Sequence, residues 1–349
     1  MKTKKRILVA PLDWGIGHAT RCIPIIKALL SNGYEVVIAA DARPMHLLST
    51  EFPKLEIVRF TGYNIKYPKY LPMIISMVFQ IPKLIYNIKK ENHSLNHIIK
   101  DYKIDAVISD NRFGLYSKKV PCVFITHQLE IQSPYFTEFI KKINYKYINK
   151  FDACWVIDDK EHNLAGNLSK PNILPNNTIY IGPQSRFKYQ QSEKKYDFLA
   201  IISGPEPQRK ILEKGIIKAL NNRKERSLIV LGKPELNNTK KIGRITIKSH
   251  LNAKELNKVI LQANLIICRP GYSTIMDLEK LNSKAFFIPT PGQTEQEYLA
   301  KLFSKKKLCY YQEQHQFDFE KAIIECKNYS GFIESKKGLV DWQELFSLF

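Results

Sequence analysis

One stretch of the chain combines residue types that bind phosphate and ribose. It follows the apolar run Leu265–Cys268, which predicts a buried strand, and contains Arg269, Gly271, Ser273, Thr274 and Asp277. The Pro-Gly turn and the small hydroxylated residues predict a helix N-terminus, where backbone N–H groups hold a diphosphate. Asp277 lies one turn further along, where an acidic side chain accepts hydrogen bonds from ribose hydroxyls. A carboxylate that only complements the helix dipole is the alternative for Asp277.

A second strand-loop-helix unit follows directly. The run Ala285–Pro289 predicts another buried strand, a Pro/Gly loop comes next, and Gln296 and Glu297 lie on the helix after it. One such unit is common in proteins. Two in tandem, the first with an acid one turn into its helix, predict a nucleotide-sugar site.

A similar turn lies upstream, between an apolar run that ends near Ser203 and a helix with Pro207 in its first turn. Gly204 is a candidate for the close approach of a ligand to the backbone. Arg209 is a candidate for a phosphate contact, and a solvated helix arginine is the alternative.

The first apolar run of the chain leads into a glycine-rich turn with a histidine. The turn contains Asp13, Gly15, Gly17 and His18. A dinucleotide-binding fingerprint is a poor match, because Thr20 stands where its third glycine would be. A histidine at this place can remove a proton from a sugar hydroxyl near neutral pH, and Asp13 or Asp110 can orient it. A histidine that only caps or packs in a plain turn is the alternative.

Short apolar runs alternate with helical patterns, which predicts parallel sheets covered by helices on both faces. The predicted strands are Ile7–Ala10, Val36–Ala40, Leu55–Phe60, Ala106–Ser109, Cys122–Thr126, Cys154–Ile157, Thr178–Ile181, Phe198–Ser203, Leu228–Leu231, Ile245–Ile247, Leu265–Cys268 and Phe286–Pro289. The predicted fold class is therefore α/β, with two Rossmann-like, doubly wound domains.

A polar stretch around Gln190 to Lys195 separates the two series of strands. We therefore place the domains at residues 1–185 and 186–349, with a last helix that can pack back on the first domain. Two facing domains of this kind leave a cleft at the carboxyl ends of their strands. Asp110, Asn111 and His127 follow predicted strands, so they either face a ligand in that cleft or cap loops.

The composition limits the class of protein. A chain of 349 residues with an apolar fraction of 44% can form two cores, which argues against wholesale disorder. The six cysteines are scattered, which favours a reducing cytoplasm over disulfides or a zinc site. The first apolar run is too short for a signal peptide. The formal charge of +21 indicates either an anionic partner or a Lys-rich composition without function.

Residues 63–90 are apolar, aromatic and basic together. Gln80, Pro82 and Lys83 interrupt the apolar run, which argues against a transmembrane helix. The pattern favours a helix that lies in an anionic membrane interface, and a core helix is the alternative. The sequence therefore predicts a cytoplasmic protein that associates peripherally with the inner face of the plasma membrane.

The donor-side motifs resemble those of the GT-B glycosyltransferases. The Arg-x-Gly-x-x-Thr-x-x-Asp stretch, the following Pro loop and the Gln-Glu pair are most similar to the family-28 branch, the MurG-like N-acetylglucosaminyltransferases. The Gly-x-Gly-His turn is similar to the glycine-rich acceptor loop of that family. The loop at Gly204 is similar to its second glycine loop, although the family loop has more glycines.

This resemblance implies an inverting glycosyltransferase that needs neither metal nor cofactor. The donor would be a nucleotide sugar, UDP-linked as in a UDP-N-acetylhexosamine, and the acceptor a cell-envelope glycan or lipid-linked sugar. Asp277 would match the acid that holds ribose, and Gln296 the residue that reads the sugar hydroxyls. Glu297 stands where the family often has a second glutamine. His18 would deprotonate the acceptor hydroxyl, and the sequence has no Asp-x-Asp pair for Mg²⁺.

Three alternatives remain open from the sequence. The Gly-x-Gly-His-x-x-Arg turn with Cys22 also resembles the nucleotide-sugar hydrolase of nonulosonic acid synthesis, which passes the sugar to water. A non-hydrolysing epimerase on the same fold is the second alternative. A basic nucleic-acid-binding protein is the third, but no zinc finger, recognition helix or RNP-like strand is present, so we expect no nucleic-acid partner.

Overall fold

The chain divides into two compact units. A computed structural model describes residues 4–62, 73–131, 137–161, 163–233, 235–334 and 340–349. The first unit comprises residues 1–184 and 337–349, and the second comprises residues 185–336.

A parallel sheet of seven strands forms the centre of the described part of the first unit. The strands are β1 (Arg6–Pro11), β2 (Glu35–Ala40), β3 (Glu56–Arg59), β4 (Ala106–Asp110), β5 (Cys122–Thr126), β6 (Ala153–Val156) and β7 (Thr178–Tyr180). Their order across the sheet is β3-β2-β1-β4-β5-β6-β7. The central strands β4 and β5 are buried along their whole length, as expected for apolar runs covered on both faces.

Helices connect these strands. They are α1 (Ile16–Ser31), α2 (Ala42–Glu51), α3 (Met73–Asp101) and α4 (Thr137–Ile148). The sheet, α3 and the end of α4 enclose a core that includes Leu95, Phe124 and Ile148.

The described part of the second unit also contains a sheet of seven strands. The strands are β8 (Tyr196–Ile201), β9 (Ser227–Val230), β10 (Thr239–Ile242), β11 (Ile245–Lys248), β12 (Ala263–Cys268), β13 (Ala285–Phe287) and β14 (Tyr310–Tyr311). Their order is β10-β11-β9-β8-β12-β13-β14, and all neighbours are parallel except the hairpin β10–β11. The predicted α/β class with two Rossmann-like domains is confirmed.

The helices of the second unit cover this sheet. They are α5 (Gln208–Leu220), α6 (Ala253–Leu261), α7 (Tyr272–Lys280), α8 (Thr294–Lys305) and α9 (Phe319–Glu325). A capping box starts α6, because Asn252 accepts from Glu255 N and the Glu255 side chain accepts from Asn252 N. A last helix, α10 (Trp342–Phe346), belongs to the first unit, where the Phe346 ring lies 6.2 Å from that of Trp155.

The basic, apolar segment at 63–90 is described only in part. Residues 63–72 lie outside the described residues, and α3 begins at Met73. Ile85 and Tyr86 of α3 are exposed. Among the helices of the described ranges, none has the length and apolar content to cross a membrane.

Candidate active site

Neighbouring strands bring His18 and Asp110 together. β1 and β4 pair with Pro11 opposite Asp110, so the loop after β1 and the end of β4 share one edge of the sheet. His18 lies in the first turn of α1, directly after this loop. Its Nδ1 is 3.2 Å from Asp110 Oδ1. The imidazole remains 18% exposed, whereas Asp110 is fully buried.

The structure corrects the prediction that Asp13 orients His18. Asp13 Oδ2 accepts a hydrogen bond from Gly62 N over 3.1 Å, so its carboxylate ties the β1 loop to the chain after β3. A Cβ on Gly62 would clash with this carboxylate, so a side chain there would displace Asp13. Of the two carboxylates predicted as partners of His18, only Asp110 contacts it.

Arg21 lies one helical turn after His18 and joins the same group. Its Nε donates to Asp110 Oδ2 over 2.7 Å, and its Nη2 contacts Asp110 Oδ1. Nη2 also lies 2.9 Å from His18 Nδ1. The sequence places Arg21 in the Gly-x-Gly-His-x-x-Arg motif but indicates no role for it. The signal was its spacing of three residues from His18, which places both on one helix face.

His127 and Cys22 complete the environment of Asp110. His127 follows β5, and its Nδ1 is 2.9 Å from Arg21 Nη1. Cys22 Sγ lies 3.6 Å from Asp110 Oδ2, and burial raises the pKa of this thiol well above its usual range. We call His18, Arg21, Asp110 and His127 the His18 cluster.

The charges of the cluster set its protonation states. Burial alone would disfavour the Asp110 carboxylate, but the Arg21 guanidinium and then His18 outweigh it and hold the pKa of Asp110 well below its usual range. Burial first and the Arg21 charge second lower the pKa of His18 below 6.5, against the opposing effect of Asp110. His18 is therefore neutral at pH 7, which is the state that a general base requires.

Other predicted acceptor-side residues shape the backbone around the cluster. Gly15 is the N-cap of α1, and Gly17 O accepts a hydrogen bond from Thr20 Oγ1 over 2.8 Å. Asn111 has a φ of 56° and follows Asp110 in a left-handed turn, which asparagine tolerates well. The described contacts give these three residues a role in the turns.

Arg112, next in the chain, is structural. It is fully buried, its Nε donates to Glu91 Oε1 of α3 over 2.9 Å, and its Nη2 donates to Thr61 O over 3.0 Å. Glu91 also accepts from Gly114 N. This pair fixes the loop after β4 against α3 and the chain after β3.

In the second unit, β12 leads into the N-terminus of α7. Gly271 is the N-cap, and the first hydrogen bond within the helix runs from Ile275 N to Gly271 O over 3.0 Å. Ser273 and Thr274 lie in the first turn, as predicted from the sequence. The helix dipole gives this end a partial positive charge that favours anions.

Arg269 adds a buried positive charge beside that helix end. Its Nη1 donates to the carbonyl oxygens of Ile288 and Pro289, each over 2.8 Å, and its Nη2 donates to Gln208 O over 3.2 Å. No carboxylate of the described residues forms an ion pair with it. Burial lowers the pKa of Arg269 to about 10, so the side chain is charged at pH 7.

Three loops converge at Gly204. Its φ of 105° is a conformation open mainly to glycine, and a Cβ there would lie 3.3 Å from Thr290 Oγ1 and 3.8 Å from Arg269 Nε. Neither of these two buried atoms has a hydrogen-bond partner among the described residues. Unsatisfied buried polar atoms are rare in proteins and are often completed by a ligand or a water molecule. Thr290 was not predicted from the sequence.

Asp277 lies inside α7 and contacts the segment that precedes β8. Ser185 Oγ donates to Asp277 Oδ1 over 2.5 Å. Burial raises the pKa of Asp277 to about 6, although the nearby Arg186 charge and the Ser185 hydrogen bond oppose the shift. At pH 7 the carboxylate is largely ionised and accepts hydrogen bonds only.

Gln296, Glu297 and Arg209 have protein partners in this structure. Gln296 Oε1 accepts from Thr290 N, and Glu297 Oε1 accepts from Gly292 N, each over 2.8 Å. Both side chains therefore hold the loop after β13. Arg209 is buried, contacts Glu206 and donates to Leu231 O over 3.1 Å, so the predicted alternative of a solvated arginine is wrong.

Two family models match the chain. "Glycosyl transferase family 1" matches residues 5–175, and "Glycosyltransferase family 28 C-terminal domain" matches residues 214–329. The chain is similar to the GT-B glycosyltransferases of the family-28 type, and the two matches support its assignment to them. It is thus a glycosyltransferase, with each family model confined to one of the two compact units.

Similar proteins agree with this assignment. The UDP-N-acetylglucosamine--N-acetylmuramyl-(pentapeptide) pyrophosphoryl-undecaprenol N-acetylglucosamine transferase of Rickettsia canadensis is 27% identical over 89% of this chain and 86% of the relative. The MurG structure from Acinetobacter baumannii has a TM-score of 0.56 at 14% identity, over 99% of this chain and 98% of that one. The spinosyn rhamnosyltransferase SpnG in complex with thymidine diphosphate has a TM-score of 0.62 at 13% identity, over 98% and 95%. The two structures establish the GT-B fold.

Within the described residues, no group of three or more His, Cys, Asp or Glu side chains is arranged to hold a metal ion.

Proposed function

We propose that this glycosyltransferase moves a sugar from a nucleotide-sugar donor to a hydroxyl of a cell-envelope acceptor, with inversion and without a metal ion. The observation that carries the proposal is the contact between His18 and the buried Asp110. An imidazole in contact with a carboxylate, neutral at pH 7 and partly exposed, is suited to take a proton from the acceptor hydroxyl.

The state of Asp110 supports inversion. A retaining reaction by double displacement needs a carboxylate that attacks the anomeric carbon. Asp110 is fully buried and engaged by Arg21 and His18, so it is not available as a nucleophile. A single displacement by the acceptor oxygen then forms the new bond from the face opposite the leaving diphosphate.

The positive charges of the second unit support a leaving group that needs no metal. As the glycosidic bond breaks, negative charge develops on the diphosphate. The N-terminus of α7 and the buried Arg269, which has no carboxylate partner among the described residues, supply fixed positive potential. Arg269 Nε and Thr290 Oγ1 beside Gly204, which have no hydrogen-bond partner in the described ranges, are two further donors for phosphate oxygens.

The classes of donor and acceptor are proposed from the curated relatives. The name of the Rickettsia canadensis enzyme specifies a UDP-N-acetylglucosamine donor and a pyrophosphoryl-undecaprenol acceptor. We infer a UDP-N-acetylhexosamine and a lipid-linked acceptor for this chain. Asp277 is suited to accept hydrogen bonds from the ribose hydroxyls of the nucleotide sugar because it is largely ionised at pH 7. Its pKa of about 6 makes nucleotide-sugar binding weaker in acid.

A lipid-linked acceptor gives the basic segment at 63–90 a purpose. In its described part, α3 exposes Ile85 and Tyr86 beside exposed lysines at 89 and 90. Apolar and basic side chains together bind anionic membrane interfaces. Flotation with anionic vesicles, lost in zwitterionic vesicles and reduced by Ile85→Ser with Tyr86→Ser, is expected. Equal recovery with both vesicle types would remove the proposal.

Hydrolysis is a second candidate because Arg21 and Cys22, the residues that resemble the hydrolase motif, both contact Asp110. The two functions share donor and base and differ in the nucleophile. A product assay separates them, since a hydrolase releases free sugar without an acceptor at full rate.

The experiment is a thermal-shift screen with UDP, GDP, CDP, TDP and their sugars, with and without EDTA. We expect selective stabilisation by UDP compounds that EDTA does not remove. The selected sugar nucleotide is then incubated with and without membrane-lipid acceptor extract. Sugar transfer only with extract supports the transferase, free sugar supports the hydrolase, and an epimeric nucleotide sugar supports the epimerase.

A further inference from the structure

The guanidinium of Arg21 contacts both histidines of the His18 cluster, in each case at the Nδ1 atom of the imidazole ring. Nη2 lies 2.9 Å from His18 Nδ1, and Nη1 lies 2.9 Å from His127 Nδ1. A guanidinium has five N–H donors and no acceptor. A hydrogen bond at either position therefore requires that the imidazole Nδ1 carries a lone pair and no proton.

The tautomer of each neutral ring follows from this constraint. A neutral imidazole has one protonated and one bare nitrogen. Because Nδ1 accepts from Arg21, the proton of His127 lies on Nε2. The same applies to His18, but there Asp110 Oδ1 competes for Nδ1 from 3.2 Å and would select a proton on that atom.

Arg21 is better placed in this competition. Its contact to His18 Nδ1 is shorter than that of Asp110, at 2.9 Å against 3.2 Å. One hydrogen of Nη2 serves Asp110 Oδ1, and its second hydrogen is available for the imidazole. Asp110 already accepts from Arg21 at both carboxylate oxygens, so it loses little when His18 does not donate to it.

We propose that Arg21 is a positioning residue that holds both His18 and His127 as Nε2–H tautomers in the unliganded protein. His18 is then a hydrogen-bond donor at rest and becomes a base only when its ring proton sits on Nδ1, facing Asp110. An acceptor whose hydroxyl donates to a bare Nε2 selects this second form by binding it better. The inference rests on the proposed role of His18 as base.

Nitrogen-15 NMR of histidine-labelled protein tests the assignment, since bare and protonated ring nitrogens resonate in well separated ranges. Spectra are recorded at pH 8 without donor or acceptor, and His18→Gln and His127→Gln identify the signals. We expect a bare Nδ1 and a protonated Nε2 for both residues. A protonated Nδ1 on His18 in the wild-type protein would overturn the proposal, whether or not any variant folds.

Arg21→Lys adds a second readout. Lysine keeps the charge but lacks the planar fork, so His18 should change to the Nδ1–H tautomer with Asp110 as its partner. Arg59→Lys, at an exposed ion pair with Asp41 in the same unit, should leave both histidine spectra unchanged. An unchanged His18 spectrum in folded Arg21→Lys also contradicts the proposal. If the spectra are as predicted but the protein proves to be a hydrolase, the positioning role of Arg21 stands. Only the proposed transferase activity is then excluded.

Discussion

Arg21 Nε donates a hydrogen bond to Asp110 Oδ2 over 2.7 Å, and neither side chain is more than 2% exposed. This ion pair joins α1 to the end of β4 and at the same time carries the contacts to His18. The packing of α1 against β4 and the environment of His18 therefore both involve the Asp110 carboxylate.

Replacing this carboxylate should cost more stability than replacing a surface one. Asp110→Asn removes the carboxylate that neutralises the buried Arg21 charge, and we expect a loss of about 3–5 kcal/mol in the free energy of unfolding at pH 7. The folded pKa of Asp110 is depressed, so this stabilisation is fully present above the ordinary aspartate pKa of about 3.9 and is lost progressively as pH falls from there through the lower folded pKa.

Urea denaturation at pH 7 and at pH 3 measures this difference. Asp41→Asn is the control, because Asp41 pairs with the exposed Arg59 and should cost about 1 kcal/mol or less. Equal losses in the free energy of unfolding for Asp110→Asn and Asp41→Asn at pH 7 would show that the buried ion pair stabilises the protein no more than the exposed one.

The pH dependence of turnover should report the lowered pKa of His18. A general base works only when unprotonated, so the acid limb of kcat/KM is expected to have its midpoint below the ordinary histidine value of 6.5. Asp277 titrates at about 6 and affects the same profile through donor binding. The profile is therefore repeated in Asp277→Asn, where a midpoint at or above 6.5 would contradict the proposed environment of His18.

Gly204 should tolerate no side chain. Gly204→Ala forces alanine into a φ of 105° and places Cβ 3.3 Å from Thr290 Oγ1. We expect a loss of about 1–3 kcal/mol in stability and at least about a tenfold weaker binding of nucleotide diphosphate. Gly243→Ala is the control, since Gly243 also has a positive φ of 55° but open space around it. Calorimetric titration should show that Gly243→Ala binds UDP with the wild-type affinity. Equally weakened UDP binding in both variants would exclude a ligand at Gly204.

Replacing Asp277 is expected to affect folding stability and donor binding in opposite directions. Its folded pKa of about 6 is raised, so the protonated form contributes stability in acid that is lost as pH rises through 6. Asp277→Asn removes the charge of a half-buried carboxylate and should be at least as stable as the wild type at pH 8, with no advantage at pH 4. Donor binding should nevertheless weaken.

Ser185→Ala is the matched control for this variant. It removes the hydrogen bond to Asp277 Oδ1 and keeps the carboxylate, so it should lower stability at pH 8. A lower stability of Asp277→Asn at pH 8, with no difference at pH 4, would mean that the surroundings favour the charged form.

Apolar runs were sufficient to predict most of the fold. Every predicted strand overlaps an observed one, because parallel strands covered on both faces need continuous apolar sequence. The hairpin strand Thr239–Ile242 was missed, since its first three residues are exposed and it is held by backbone pairing with Ile245–Lys248. The two-residue strand at Tyr310 is too short for any periodic signal.

The site was predictable as a set of strand ends but not as a set of contacts. His18, Asp110 and His127 each follow a predicted strand, and neighbouring parallel strands end at one edge. Sequence could not decide between Asp13 and Asp110, because the choice depends on the register of β1 against β4. It also could not show that Gln296 and Glu297 hold a loop, since their partners are backbone N–H groups.

The proposed reaction is an inverting transfer with His18 as base and no metal. The most direct measurement is proton NMR of the first product formed from an α-linked UDP-sugar and acceptor in EDTA, for the wild type, His18→Ala and the exposed-site control His46→Ala. We expect a β-linked product, a fall in turnover of about 10²–10⁴-fold in His18→Ala with donor binding retained, and normal turnover in His46→Ala. An α-linked product, a need for added metal, or full turnover in His18→Ala would contradict it.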